Sequence, residues 1–319
     1  MTSNLNADLH CHSVISDGTL TPEALADRAK ANGVALWALT DHDEISGQQR
    51  AAAAARSVGL SYLSGVEISV TFLAQTIHIV GLGFDVEDPA LQSGLAQTRG
   101  GRGQRALEMA SSLAQVGIAG SYEGALQFAG NHDLISRTHF ARFLVERGIC
   151  RDTNEVFRKY LTAGKPGYVE HRWASLKNAV QWITQAGGVA VIAHPARYKL
   201  SSTEEFALFT EFKGNGGQGV EVVTGSHSPA EYLSYADTAR EFDLAASRGS
   251  DFHSPDESRT ELGTLPALPG DLTPVWELLA ERIQGTHHAA PIDAPKLAAS
   301  TGIEAVRVNV QLNAAGNGA

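Results

Sequence analysis

The sequence is poor in sulfur, with two cysteines, Cys11 and Cys150, and two methionines in 319 residues. Two cysteines supply no disulfide framework, so an ordinary apolar core must hold the fold. Long hydrophobic runs are also missing, and none approaches the ~20 residues that cross a bilayer. The opening Met1-Thr2-Ser3-Asn4-Leu5-Asn6 lacks the charged-then-apolar pattern of a secretory leader. A soluble cytoplasmic protein without a membrane partner is the expectation. Positive charge is scarce: 25 Lys and Arg face 35 acidic residues, a net charge of −10. That balance disfavours an extended grip on duplex nucleic acid, which needs a basic face. It allows a small anionic substrate, provided that a local cation cluster or bound metal ions meet its charge. No Gly-x-Ser-x-Gly elbow or other Ser/Cys nucleophile signature is present, and no internal repeat.

What remains is apolar material for a sizeable core, 43% of the residues, and twelve histidines. Histidine is neutral and ligand-competent near pH 7, so its positions matter. Short apolar runs bounded by turn residues read as buried strands: 5–10, 35–40, 62–68, 76–82, 189–193, 220–224 and 244–249. Helical patterns lie between several of them. Thr21-Pro22-Glu23 opens one, with Thr as N-cap and Pro at N1. An Ala-rich helix follows at 48–58, and 176–185 is amphipathic through Leu176, Ala179, Val180 and Ile183. Alternating strands and helices predict an α/β fold with a parallel sheet or barrel. The rhythm breaks between the fourth and fifth strands, where 99–172 reads as a helical insertion. The division expected is 1–98 and 173–285 for the two barrel parts, 99–172 for the insertion acting as a substrate lid, and 286–319 for a frayed tail.

The chemistry sits near the strand ends. In Asp8-Leu9-His10-Cys11-His12-Ser13, alternation places His10 and His12 on one face and Cys11 on the other. Two imidazoles on one face form a pair of metal ligands, while Cys11 reads as packing. Asp17 follows in a turn. The second strand ends Thr40-Asp41-His42-Asp43, the third carries Glu67 between Val66 and Ile68, and the fourth carries His78 between Ile77 and Ile79. The fifth ends Ala193-His194-Pro195, and the seventh runs into Asp251-Phe252-His253, repeating the one-face pattern. A charge among buried apolar neighbours needs a partner, and α/β barrels gather their active sites at the carboxyl ends of the strands. Six of the seven strands place a His, Asp or Glu there, so a metal site is expected. Asp41 reads as an orienter of an imidazole through its second nitrogen or as a helix cap, and Asp43 as a further orienter.

His10-x-His12, Asp17, Thr40-Asp41-His42, Gly65-Val66-Glu67, His78, Ala193-His194-Pro195 and Asp251-x-His253 together resemble the PHP family, the polymerase and histidinol phosphatase domain. The resemblance covers about residues 5–100 and 185–255. It implies a distorted (β/α)7 barrel with an inserted small helical domain, and up to three divalent ions, manganese first, with iron or zinc as alternatives. By similarity, His10, His12, Glu67 and Asp251 would hold one ion. Glu67, His78 and His194 would hold a second, and Asp17, His42 and His253 a third. Clustered ions of this kind serve phosphoester hydrolysis by polarising a phosphoryl oxygen and activating water.

In the insertion, Ser136 reads as the N-cap of a helix running to Glu146, with Arg137 in its first turn and His139 at the position where a capping box places Glu or Gln. A cation there opposes the helix dipole, which is understandable if an anion binds. Lys165 in Gly164-Lys165-Pro166-Gly167 lacks the rest of a P-loop but offers a phosphate contact. Arg197 and Lys199 follow His194-Pro195 at the rim, and His227 either contacts substrate or caps a loop. Ser136-Arg137-x-His139 placed after His78 resembles the PHP subgroup acting on nucleoside 3′,5′-bisphosphates. That resemblance implies removal of the 3′-phosphate while the lid grips the 5′-phosphate of an adenosine 3′,5′-bisphosphate-like nucleotide. The rivals are a 5′–3′ exoribonuclease on short 5′-phosphorylated RNA, a histidinol-phosphate phosphatase, a metal-dependent amidohydrolase, and a non-catalytic metal-bound nucleotide-binding module.

Overall fold

A computed structural model describes residues 5–285, so the expected tail at 286–319 lies outside the described residues. The strands are β1 (Ala7–Asp8), β2 (Leu36–Leu39), β3 (Ser61–Phe72), β4 (Gln75–Leu82), β5 (Ala174–Ser175), β6 (Val189–Ile192), β7 (Gly219–Thr224) and β8 (Ala245–Gly249). Seven of them follow one another in the order β1-β2-β3-β4-β6-β7-β8, and the short β5 pairs with β3. Leu9 N donates to Arg248 O at 3.1 Å and Asp251 N to His10 O at 2.8 Å, which brings the last strand back to the first and nearly closes the barrel.

All seven expected strands form, but not all are parallel. β3 and β4 make a long antiparallel hairpin, and β4 is also antiparallel to β6. The turn is Leu73-Ala74, both at positive φ, 45° and 61°, which is the backbone of a type I′ turn without the usual Asn or Gly. This corrects the expectation that His78 sits at the carboxyl end of its strand. His78 lies in the first half of β4, and the reversed strand brings it opposite Ser69. Directly opposed residues share a face, so His78 points with Ser69 and Glu67.

Helices α1 (Pro22–Ala31), α2 (Gln48–Ser57) and α3 (Pro89–Arg99) flank the first strands, and α8 (Leu176–Gln185), α9 (Ser202–Gly214) and α10 (Pro229–Glu241) the later ones. Thr21 caps α1 by accepting from Ala24 N at 3.3 Å, and α8 buries Leu176, Ala179, Val180 and Ile183, as its pattern predicts. Between α3 and β5 the chain is helical: α4 (Arg102–Gln115), α5 (Ser121–Leu126), α6 (Arg137–Glu146), α7 (Thr153–Val156) and a π-turn at Phe157–Leu161. These helices have their own apolar cluster, with Met109, Leu113, Phe140 and Leu144 buried at its centre. No helix among the described residues is long and apolar enough to cross a membrane.

Candidate metal centre and substrate cavity

Glu67 stands at the middle of the strand-end cluster. Its Oε1 lies 2.8 Å from His78 Nδ1 and 2.9 Å from His194 Nε2, and its Oε2 lies 3.0 Å from His42 Nδ1, 3.2 Å from His12 Nε2 and 3.3 Å from His10 Nε2. Asp251 Oδ1 is 3.4 Å from His12 Nε2 and 3.6 Å from both His10 Nε2 and His253 Nδ1. Asp17 Oδ1 faces His253 Nε2 at 3.4 Å, His42 Nε2 at 3.9 Å and His12 Nδ1 at 4.0 Å. All nine residues therefore meet in one place, in overlapping groups close enough to share an ion: His12, Asp17, His42 and His253; His10, Glu67 and His194; His10, His12 and Asp251; His42, Glu67 and His78.

The donor atoms fit metal better than one another. His12 Nδ1, Asp17 Oδ1, His42 Nδ1, Glu67 Oε2, His78 Nδ1 and His194 Nδ1 are buried without a hydrogen-bond partner, a costly condition for protein groups alone. His10 Nε2 and His12 Nε2 face each other at 3.2 Å, where one nitrogen at least must offer a bare lone pair. Burial pushes the Glu67 carboxyl up, but its interactions with the His78, His42 and His10 imidazoles outweigh that and hold the group well below the usual range. Burial presses His78 down to about 4, leaving a neutral ring near pH 7. Against burial, nearby carboxylates raise His10, His12 and His253, and a divalent cation displaces such protons from imidazoles and carboxylates, the donor set it takes.

The backbone delivers these groups at its limits. His194 and Asp251 both take positive φ, 28° and 55°, an uncommon conformation for residues with a side chain. Gly249 passes so close to His10 that a Cβ there would lie 2.3 Å from the His10 Cβ. Cys11 turns away, as expected, and its Sγ meets Trp37 Nε1 at 3.1 Å in the core.

Asp41 is neither of the things its sequence suggests. It accepts from Ser13 N at 2.8 Å, Ser13 Oγ at 2.7 Å and Ser16 Oγ at 2.6 Å; it pins the loop that carries His12 to Asp17. Asp43 likewise touches no imidazole. It accepts from Ser69 N at 2.7 Å and Ser69 Oγ at 2.9 Å, and pairs with Arg102 of α4. The carboxylate that does hold an imidazole is Glu221, absent from the sequence reading: its Oε1 is 2.8 Å from His10 Nδ1. Val220-Glu221-Val222 carried the same signal as Val66-Glu67-Ile68, a charge inside an apolar strand.

A cavity of about 120 Å³ opens over the cluster, lined by ligand residues, Ser136, Arg137, Arg197 and three cationic or aromatic groups unmarked in the sequence, Arg102, Arg105 and Trp173. Arg102 and Arg105 are buried and both stack on Trp173, 4.7 and 5.3 Å from its ring. Arg102 is paired with Asp43, and Arg197 with Asp251 at 2.7 Å. Arg105 and Arg137 reach only carbonyl oxygens, of Val169 at 3.1 Å and Leu161 at 3.4 Å. Burial, then the charges of Arg137 and Arg102, press the Arg105 guanidinium down to about 9.

Of the remaining expected substrate contacts, only Ser136 lines the cavity. Ser136 does cap α6, and His139 completes the capping box, its Nδ1 accepting from Ser136 N at 3.0 Å. The imidazole substitutes for Glu, so its ring is engaged behind the cavity wall. Lys165 is exposed on its turn, and Lys199 is exposed with its backbone tied to Gln75. His227 is buried between Val222 O and Ala196 N, holding the loop after β7 rather than facing the cavity.

A barrel of this topology with His and carboxylate ligands clustered at one end defines a class. Residues 8–184 match the PHP domain family, and the chain belongs to it. Among its relatives, a 3′,5′-nucleoside bisphosphate phosphatase of Chromobacterium violaceum is 51% identical over 87% of this chain and 98% of its own length. The 5′-3′ exoribonuclease Rnm of Escherichia coli is 41% identical over 85% of this chain and 92% of its own. A solved structure from Chromobacterium violaceum, described as an amidohydrolase with bound sulfate and no metal, superposes with a TM-score of 0.86 at 51% identity, covering 88% of this chain and 98% of that one.

Proposed function

We propose that this protein removes the 3′-phosphate from nucleoside 3′,5′-bisphosphates, leaving a 5′-mononucleotide and phosphate, with three divalent ions, manganese foremost, held by the nine clustered residues. It is a phosphoric ester hydrolase. The observation that carries the substrate reading is the pair Arg105 and Arg137, cations with no carboxylate partner among the described residues, in the same cavity as the ligand cluster. Arg105 is buried and Arg137 half-buried; uncompensated cations in such places are costly, and a second phosphate on the substrate satisfies them. Histidinol phosphate offers these arginines an ammonium and an imidazole but no second anion, and a non-catalytic nucleotide-binding module would not need every ligand position filled.

When bound, the ions supply Lewis-acid activation of the phosphoryl group and of water. The chain's own residues do the rest. Neutral His78 keeps a lone pair free at pH 7. Asp41 fixes the Ser13–Ser16 loop and so the separation of His12 from Asp17. Arg105 and Arg137 take the 5′-phosphate, with Arg102 beside them. Arg197, braced by Asp251, stands between this cavity and an adjoining one of about 490 Å³ that shares Thr138, Phe157, Arg197, Asp251 and His253. That outer cavity favours a second activity, release of nucleotides from short 5′-phosphorylated RNA, whose further residues it has room for. Cytoplasmic residence suits the two buried free thiols, Cys11 and Cys150.

The direct test is to incubate the manganese-loaded protein with adenosine 3′,5′-bisphosphate and follow both phosphorus signals. Loss of the 3′-phosphate with the 5′-phosphate retained is expected. Release of the 5′-phosphate, or no release, would overturn the assignment.

A further inference from the structure

Glu221 sits in the middle of β7, 1% exposed, where a lone carboxylate is expensive unless both oxygens are used. Both are. Oε1 meets His10 Nδ1 at 2.8 Å, and Oε2 accepts from His194 N at 2.6 Å. The register of β7 against β8 shifts between Glu221 and Val223, and bulges of this kind re-aim a side chain near a site. The two groups it meets follow two separate strands, β1 and β6, and His194 takes the strained φ of 28°.

We infer that Glu221 is a positioning residue for metal binding: one carboxylate fixes the tautomer of the His10 ring and anchors the backbone that presents His194. With a Glu221 oxygen accepting, Nδ1 of His10 is the donor, and a neutral ring then presents a bare Nε2. That bare Nε2 is the atom facing Glu67 Oε2 at 3.3 Å and Asp251 Oδ1 at 3.6 Å. A Gln at 221 cannot do both tasks. Its amide NH₂ would stand against either the His10 Nδ1–H or the His194 N–H, and relief by tautomer exchange would put the proton on His10 Nε2. Outer carboxylates that orient a ligand imidazole are worth roughly 10–100-fold in metal affinity.

This inference rests on the metal reading above, and the test separates the two. Full-length wild-type and Glu221→Gln proteins are stripped of metal and titrated with Mn²⁺, with free ion followed by electron paramagnetic resonance. Wild-type protein that binds no Mn²⁺ would overturn the metal reading itself. With wild-type binding intact, Glu221→Gln is expected to weaken part of the Mn²⁺ complement 10–100-fold, sparing the ion held by Asp17, His42 and His253. Raised Mn²⁺ should restore its kcat, which damage to the fold would not permit. Equal affinities and kcat in the two proteins would refute the role. Should the variant not fold, ¹⁵N-histidine spectra of the wild-type protein give the answer alone. His10, assigned by its loss in His10→Gln, is expected as the Nδ1–H tautomer, and a proton on Nε2 would refute the inference.

Discussion

Arg105→Met should make the metal-free protein more stable and the enzyme worse. The guanidinium is 8% exposed, lacks an acidic partner among the described residues and is pressed well below its ordinary range, to about 9. At ~1.4 kcal/mol per pH unit this corresponds to ~4–5 kcal/mol of unfavourable burial. Relaxation and water entry reduce such figures, and the loss of the Val169 carbonyl bond and of the stacking on Trp173 subtracts ~1–2 kcal/mol more. A gain of roughly 2 kcal/mol is left. Methionine keeps the aliphatic volume and removes the charge. Urea unfolding of metal-free wild-type and variant proteins measures the stability side. On the functional side, removing a buried charge that meets a phosphate costs ~2–5 kcal/mol, at least a ~30-fold fall in kcat/KM for adenosine 3′,5′-bisphosphate. Adenosine 3′-monophosphate has nothing for Arg105 to hold, so its kcat/KM should stay within about twofold. Equal losses on both nucleotides, or a destabilised variant, would refute the reading of Arg105 as a phosphate receptor that strains the free protein.

Three further outcomes follow from other contacts. His139 is pressed down to about 4, chiefly by burial, and its Nδ1 must stay unprotonated to accept from Ser136 N. A lowered histidine pKa stabilises the fold above the unfolded value of ~6.5, and that contribution, ~3 kcal/mol at most, is lost as pH falls from 6.5 towards 4. Urea unfolding of metal-free protein at pH 7.5 and 5 should show the loss, and His139→Ala should flatten the slope; an unchanged slope would contradict the capping role. Asp41→Asn should cost ~1–3 kcal/mol through the buried Ser13 and Ser16 network and weaken the Mn²⁺ bound near Asp17 about tenfold. Denaturation and metal titration check both, and wild-type values would show that the loop holds itself. Exhaustive chelation should abolish phosphate release, with recovery on adding Mn²⁺ back; undiminished turnover in chelator would exclude the ions from the reaction.

Much of this site was readable before any coordinates, and the reason is local. A His, Asp or Glu flanked by apolar strand residues has few structural uses, so Glu67, His78 and His194 announce themselves by their neighbours. The same rule applied to Glu221 would have found it. What escaped was information that only tertiary structure holds. The β3–β4 reversal is made by Leu73-Ala74, whose residue types carry no turn signal. Arg102 and Arg105 look like any surface arginines on a polar helix, and only the packing of α4 against Trp173 buries them. Asp41 was misread because a short polar residue after a strand has several possible partners; the one it takes is a loop 25 to 28 residues earlier. His139 stands at the capping-box position already visible in the sequence, and there it does the work of a capping glutamate instead of contacting substrate.

The most direct measurement is the kcat/KM of manganese-loaded protein for adenosine 3′,5′-bisphosphate set against that for a short 5′-phosphorylated oligoribonucleotide. Two unpaired arginines in a cavity of about 120 Å³ favour the compact, doubly phosphorylated nucleotide, so the bisphosphate should be preferred by at least tenfold, about 1.4 kcal/mol. Faster stepwise release of mononucleotides from the oligomer would contradict that preference and make the RNA end the principal substrate.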